Sequence, residues 1–291
     1  MSALREKGAR WLFAIAASIS IIALLLITIF IFYRGLPAFA QIGIIPFLTG
    51  DEWQPGAGIY GIRPMIIASI LLAVFSVAVG TILGIFTAVY LSELANKRIR
   101  RVFQPAITLL AGIPSVVFGL FGMTVIIPFV RSFAALFGLD VPGNSLLAGA
   151  IVLALMVLPT IVSTVLDALQ AVPVHWRHSS YALGASKLHT IFHVVLPAAR
   201  SGIITGVMLA VGRSIGETMA IILMTGNRPR LPGSLFDPVR SLTGNIALEM
   251  GYASGLHEQA LFATGVVLFV FTMMINGVVR FVASRRAKGG K

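Results

Sequence analysis

Apolar residues run along this chain in long unbroken blocks, and the charges stand between the blocks. Residues 11–33 form 23 uncharged, mostly apolar positions, about 34 Å of helix at roughly 1.5 Å per residue, enough to cross a hydrocarbon core of about 30 Å. Comparable blocks cover residues 64–92, 102–130, 146–166, 201–226 and 259–279. The pattern predicts an all-α integral membrane protein with six transmembrane helices. A cleaved leader is the rival for the first block, since Arg5, Lys7 and Arg10 precede it and Ala38-Phe-Ala40 follows, but its apolar region is too long for one.

The breakers inside and between blocks sharpen this outline. Pro114 sits within the third block, beside Gly112, Gly119 and Gly122, so that helix should kink and let a neighbour approach closely. Residues 34–63 read as a loop broken by proline and glycine. Between the fifth and sixth blocks, Asp237 as N-cap, Pro238 at the first helical position and Gly251 after the end predict a further helix. Val239, Leu242, Ile246 and Met250 would share one face of it, so it should lie on the membrane surface or dip partly into it.

Composition agrees: 57% of the 291 residues are hydrophobic and 11% are charged, too little polar surface for a soluble globule of this length. The net charge of +12 would suggest a nucleic-acid partner in a soluble protein, but its distribution explains it otherwise. The two ends and the loops after the second and fourth blocks hold 15 of the 22 lysines and arginines, and the remaining loops hold 6. That bias predicts both termini in the cytoplasm and requires no nucleic acid. The chain has no cysteine, which excludes a thiolate metal site or nucleophile.

No phosphate-binding loop, His-Glu-x-x-His or Gly-x-Ser-x-Gly motif is present, so the residues offer neither ATP hydrolysis nor a catalytic constellation. Four of the five histidines crowd the loop at about 167–200: His175, His178, His189 and His193. With Asp167 as the one nearby acid, they read as a polar contact surface and not as a metal site. Arg213 and Glu217 carry the sharper signal. Arg213 lies about 18 Å into the fifth block at 1.5 Å per residue, where a charge costs about 2.5 to 3.5 kcal/mol even on the lenient insertion scale. Such a residue avoids lipid. At i,i+4 the two side chains would share a helix face and pair. The pair reads either as an ionic lock between helices or as the lining of an anion path, in which Arg213 grips a tetrahedral oxyanion through parallel hydrogen bonds. Glu217 would then favour a protonated phosphate over sulfate.

Gly184, nine residues and then Val194-x-Leu196-Pro197 resemble the cytoplasmic motif of ABC importer permeases, whose coupling helix sits in a cleft of the ATPase. The chain departs from that motif where His178-Ser179-Ser180 replaces Glu-Ala-Ala. Residues 111–122, 212–220 and 234–252 resemble the PstC-type permeases of phosphate-specific importers. The resemblance implies the type I importer permease fold, with residues 64–284 as its transmembrane domain after an N-terminal helix and loop at 1–63, and a basic tail at 285–291. It also implies ATPase-coupling contacts at His178, Ser179, Ser180, Tyr181, Ala182, Gly184, Leu196 and Pro197. The implied partners are a homologous PstA-type permease in a heterodimer, a PstB-type ATP-binding dimer, a PstS-type extracytoplasmic phosphate-binding protein and membrane lipid. No cofactor is implied. Rival readings are a permease for sulfate or molybdate, or a self-sufficient secondary transporter or channel.

Overall fold

In the computed structural model, backbone is described for residues 2–288 and side chains for residues 8–278 and 281. Tail residues 289–291 and the side chains of Arg5, Lys7, Arg280, Arg285, Arg286 and Lys288, expected to form the basic ends, lie outside the described residues.

A backbone in hydrocarbon must satisfy its N–H and C=O groups within its own segment, so the long apolar blocks become helices. They are α1 (Ser2–Ile42), α3 (Arg63–Val89, prolonged by a π-helical turn at Tyr90–Leu94), α7 (Leu146–Gln170) and α14 (Leu256–Lys288). With the segment Ser115–Ala135 they make five helices long and apolar enough to cross a membrane. A sixth crossing exists if Lys187–Ala198 and Arg200–Gly216, bent by 67°, count as one span.

The third block departs from the expected single kinked helix. α4 (Lys97–Ala111) stops at Gly112, and α5 (Ser115–Phe121) restarts after Pro114; a π-helical segment, Gly122–Ile126, leads into α6 (Ile127–Ala135). Proline has no N–H to continue the ladder, so the helix breaks. Arg131 consequently lies in α6 and not in a loop, donating to the Pro142 carbonyl at 3.0 Å.

α7 is the central helix, with α3 and α11 (Arg200–Gly216) against it. Close approach comes from missing side chains: a Cβ at Gly80 or Gly84 of α3 would strike Val157 or Ile161 of α7, and one at Gly202 of α11 would strike Ala168. One buried cluster, including Leu72, Phe118, Leu153, Met156 and Met224, fills the half nearer the start of α3; a second, including Leu91, Val165, Leu169, Ile191 and Val195, fills the other half. α1 and α14 form an antiparallel arm beside this bundle, joined by Phe30 on Phe262 and Phe32 on Phe269. Most of α1 is exposed, as befits a helix whose solvent is lipid.

The stretch read as a loop at 34–63 is a packed cap. α1 continues past Tyr33 to Ile42, because Arg34 finds an ion-pair partner in Glu258 of α14. A short α2 (Ile44–Thr49) follows, then the hairpin β1 (Trp53–Gln54) and β2 (Ile59–Tyr60), with Trp53 opposite Tyr60. Phe47, Trp53, Tyr60, Ile62 and Met65 are buried together with Leu242 and Leu261. The helix expected from Asp237 begins later, as α13 (Leu242–Glu249) with Ser241 as its N-cap. Asp237 instead accepts hydrogen bonds from the backbone of Gly233 and Ser234, closing a turn. Leu242, Thr243, Gly244, Asn245 and Glu249 are buried, so α13 is tucked into the bundle end.

Candidate functional site

The fifth block is broken where its charge lies. α11 ends at Gly216, Glu217 is extended (φ −69°, ψ 133°), and a short α12 (Met219–Met224) follows. The expected i,i+4 pair is therefore not formed: Glu217 is off the helix that carries Arg213, and no ion pair joins them among the described residues. The break is held in place. Thr243 of α13 donates its hydroxyl to the Glu217 carbonyl at 2.9 Å, and the Glu217 carboxylate accepts from the Ala220 N–H at 3.4 Å. These contacts satisfy backbone groups that a continuous helix would have satisfied internally. On the other side, α12 is clasped by the third block, since a Cβ at Gly119 or Gly122 would strike Leu223 or Met224.

Arg213 is half-buried, and its one hydrogen bond among the described residues goes from Nη1 to the Thr160 hydroxyl of α7 at 3.3 Å. Beside it the buried hydroxyls of Ser76 and Ser214 meet at 2.7 Å and tie α3 to α11. A guanidinium carries five N–H donors in a planar fork, and most of this fork is free. Arg213 and Glu217 thus present a cation and an anion that have not neutralised each other, at a helix break inside the bundle.

At the end of the bundle where α3 finishes, the chain makes an exposed elbow. α8 (Val174–Ala182) is followed by Gly184 at φ +83°, a left-handed conformation that glycine adopts without a Cβ penalty. α9 (Lys187–Thr190), a π-helical segment Ile191–Val195 and α10 (Leu196–Ala198) then lead back to α11. His178, Ser179, Tyr181, Ala182, Gly184 and Pro197 are exposed, whereas Ser180 is half-buried and shares a 2.8 Å hydrogen bond with Thr190. Leu196 packs against the second core cluster, so it anchors the elbow instead of offering a surface. A groove of about 770 Å³ opens here, bounded by Trp176, Ser179, Leu183, Gly184 and His189. His189 and His193 stack with ring centroids 4.1 Å apart.

Two charge clusters gave no clear signal in the sequence. At the elbow, Arg177 grips Glu93 of the π-helical turn through Nη2 at 2.8 Å and Nε at 3.3 Å, and also donates to the Leu169 and Val172 carbonyls. At the opposite end Glu249, 6% exposed, accepts from Trp53 Nε1 at 2.8 Å, from His257 Nε2 at 2.8 Å and from Arg240 Nη1 at 2.5 Å. Burial pushes the Glu249 carboxyl upward, but the hydrogen bonds from Trp53, His257 and Arg240 and the charge of Arg240 outweigh it and hold its pKa below the ordinary value. The one available hint was that acids are scarce, 10 in the whole chain, so each one set among apolar residues needs a partner.

The family described as binding-protein-dependent transport system inner membrane component matches residues 80–288, which include the elbow and the broken fifth block. The chain belongs to that family. It is the permease subunit of an ABC importer and a multi-pass protein of the inner membrane. Among curated relatives, the probable ABC transporter permease protein YqgH of Bacillus subtilis (strain 168) is 39% identical over 289 residues, covering 97% of this chain and 92% of that protein. The phosphate transport system permease protein PstC of Mesorhizobium japonicum is 35% identical over 255 residues, covering 82% of this chain and 78% of the relative. Among solved structures, the bacterial alginate ABC transporter in complex with alginate pentasaccharide-bound periplasmic protein superposes with a TM-score of 0.63 at 19% identity, covering 92% of this permease and 95% of that chain. At that identity the superposition speaks for the fold alone.

Proposed function

We propose that this permease subunit forms half of the translocation path for inorganic phosphate, with Arg213 as the anion-binding group and Glu217 as the group that selects among oxyanions. The observation that carries the reading is the free fork of Arg213. An arginine held at a helix break with one neutral partner is stabilised by an oxyanion that can take two parallel charge-assisted hydrogen bonds. Glu217, unpaired with Arg213, accepts a proton-bearing oxygen of phosphate and repels a fully ionised sulfate. Relatives that carry the phosphate-transport name, at 31–35% identity across most of the chain, support this substrate.

The elbow end then faces the cytoplasm, with both termini, and α8 receives the push of a separate ATP-binding dimer through His178, Ser179, Tyr181, Ala182 and the Gly184 turn. Ser180 and Leu196 brace that surface from behind, and Pro197 stands exposed beside it. α8 is locked to α3 by Glu93 and Arg177, and the chain continues from it into α11, so a force on α8 reaches Arg213 along covalent structure and one ion pair. A second, PstA-type permease completes the path, and a PstS-type binding protein delivers phosphate to the cap.

ATP-driven uptake by the assembled importer in membrane vesicles, with phosphate and sulfate in competition, tests the reading. Loss of two charged hydrogen bonds, each about 1.5–3 kcal/mol, predicts that Arg213→Ala lowers phosphate uptake about a hundredfold or more. Glu217→Gln is expected to retain uptake and admit sulfate as a competitor. Undiminished transport by Arg213→Ala removes the pathway role. Unaltered discrimination in Glu217→Gln removes the selecting role.

A further inference from the structure

The face of α4 turned away from the bundle has no use in the path described above. Four cations stand within its first five residues, Lys97, Arg98, Arg100 and Arg101. Arg100 is consumed by the carbonyls of Leu91 and Ser92, at 2.8 Å for the first. The nearest acid in sequence, Glu93, is consumed by Arg177. Lys97, Arg98 and Arg101 have no hydrogen-bond or ion-pair partner among the described residues. Three like charges within little more than one helical turn repel one another unless an anion lies among them.

A groove of about 790 Å³ starts at Lys97, Arg100 and Arg101 and runs along the helix past Gln104, Pro105, Thr108 and Leu109; Arg98 stands beside it and does not line it. Its charges are confined to one end. Leu109 is 74% exposed, and Val102 and Phe103 on the adjoining face are 67% and 53% exposed. The direction of the groove is set by packing: Ile99 touches the core cluster at the elbow end, and Leu110 touches the cluster at the cap end. The cations therefore sit at the membrane edge and the apolar end points toward mid-membrane. A free inorganic ion would use only the charged end of such a groove. An amphiphile with a negative head and an acyl tail fits its whole length.

We propose that α4 is a binding site for an anionic phospholipid of the cytoplasmic leaflet, its headgroup phosphate held by Lys97 and Arg101, with Arg98 adding positive charge at the same end, and an acyl chain lying along Pro105, Thr108 and Leu109. The leaflet follows from the orientation argued under the proposed function; the amphiphile itself follows from the groove. Because the π-helical turn before α4 carries Glu93, the bound lipid lies next to the clamp that holds α8.

The test is lipid retention by the whole importer, purified from nanodiscs holding equal phosphatidylglycerol and phosphatidylcholine and read by native mass spectrometry. Each basic residue near an anionic surface is worth about fivefold in binding. The triple change Lys97→Gln, Arg98→Gln, Arg101→Gln is therefore expected to lower the preference for phosphatidylglycerol about a hundredfold while the second permease stays in the complex. Leu109→Ser, which leaves every charge in place, is expected to lower it severalfold. Equal retention of the two lipids by the unaltered importer overturns the proposal. Displacement of the bound lipid by millimolar inorganic phosphate, with Leu109→Ser having no effect, would make this a free-oxyanion site and also overturns it. Loss of the second permease in the triple variant would make the face a subunit interface and overturns it too. The transport reading fails separately: Arg213→Ala is expected to hold phosphatidylglycerol as the unaltered protein does, and labelling of Lys97 by an impermeant amine reagent added outside the membrane would reverse the orientation alone.

Discussion

The cap and the broken fifth block both bring charge out of water, and they treat it in opposite ways. Glu249 is surrounded: an indole, an imidazole and a guanidinium all donate to it, and Arg240 is itself held by Asn245 at 3.0 Å and by the Asn227 carbonyl at 2.9 Å. Arg213 has one long bond to a threonine, and Glu217 one long bond from a backbone N–H. A buried charge is tolerated when paired and hydrogen-bonded and is otherwise expensive. The chain thus meets the requirement fully where charge serves only to hold segments together. Where it leaves the requirement unmet, the proposed phosphate would supply the missing partner. This contrast, more than the depth of Arg213, separates a structural ion pair from a site.

Stability measurements can break the contrast, and the largest effect is expected at the cap. Glu249→Ala leaves the largely covered Arg240 without its counter-charge, and removing one partner of a buried pair costs about 3–5 kcal/mol. A melting temperature close to that of the unaltered importer would contradict the structural role. Arg177→Ala strands Glu93, whose side chain is 8% exposed, and is expected to cost about 2–3 kcal/mol and to uncouple ATP hydrolysis from uptake. Coupled uptake at the normal ratio would show that the clamp carries no force.

Acidification makes a milder version of the first experiment. The pKa of Glu249 is lowered in the folded protein, so its contribution to stability is complete above the unfolded value, about 4.3. It is lost as pH falls through the lower folded value. Thermal stability of the cap, followed by Trp53 fluorescence, should be level above about pH 5 and decline below it. In Glu249→Gln this acid-side decline should shrink. The smallest effect on stability is expected for Arg213→Ala, within about 0.5 kcal/mol, in the same variant that loses uptake. A large drop in its melting temperature would erase the contrast, by making Arg213 a structural lock.

Much of the architecture was legible in the residues. The second, fourth and sixth blocks, read at 64–92, 146–166 and 259–279, appear as α3 with its π-helical turn, α7 and α14, nearly in register. The glycines at 119 and 122 do admit a neighbouring helix, and Gly184 does turn the elbow. Three of the errors share one cause. Arg34 and Pro37 looked like the end of a helix, but Glu258, far away in sequence, lets α1 continue. Asp237 looked like an N-cap and closes a turn with Gly233 and Ser234 instead, displacing the helix start to Ser241. Residues 213 and 217 have helical spacing, yet Thr243, 26 positions away from Glu217, helps hold the chain extended between them.

What the residues determine unaided is which segments leave water, because apolar length decides that segment by segment without reference to the rest of the chain. They also determine where a charge has been carried inside, since nothing in a neighbouring helix can alter the position of Arg213 along its own. The tertiary structure alone decides whether such a charge is answered. Trp53, Arg240, Glu249 and His257 come from separate segments and meet only when the cap closes over the bundle end, and among the described residues no comparable group closes over Arg213. Pairing across such separations depends on packing geometry, which local periodicity does not encode.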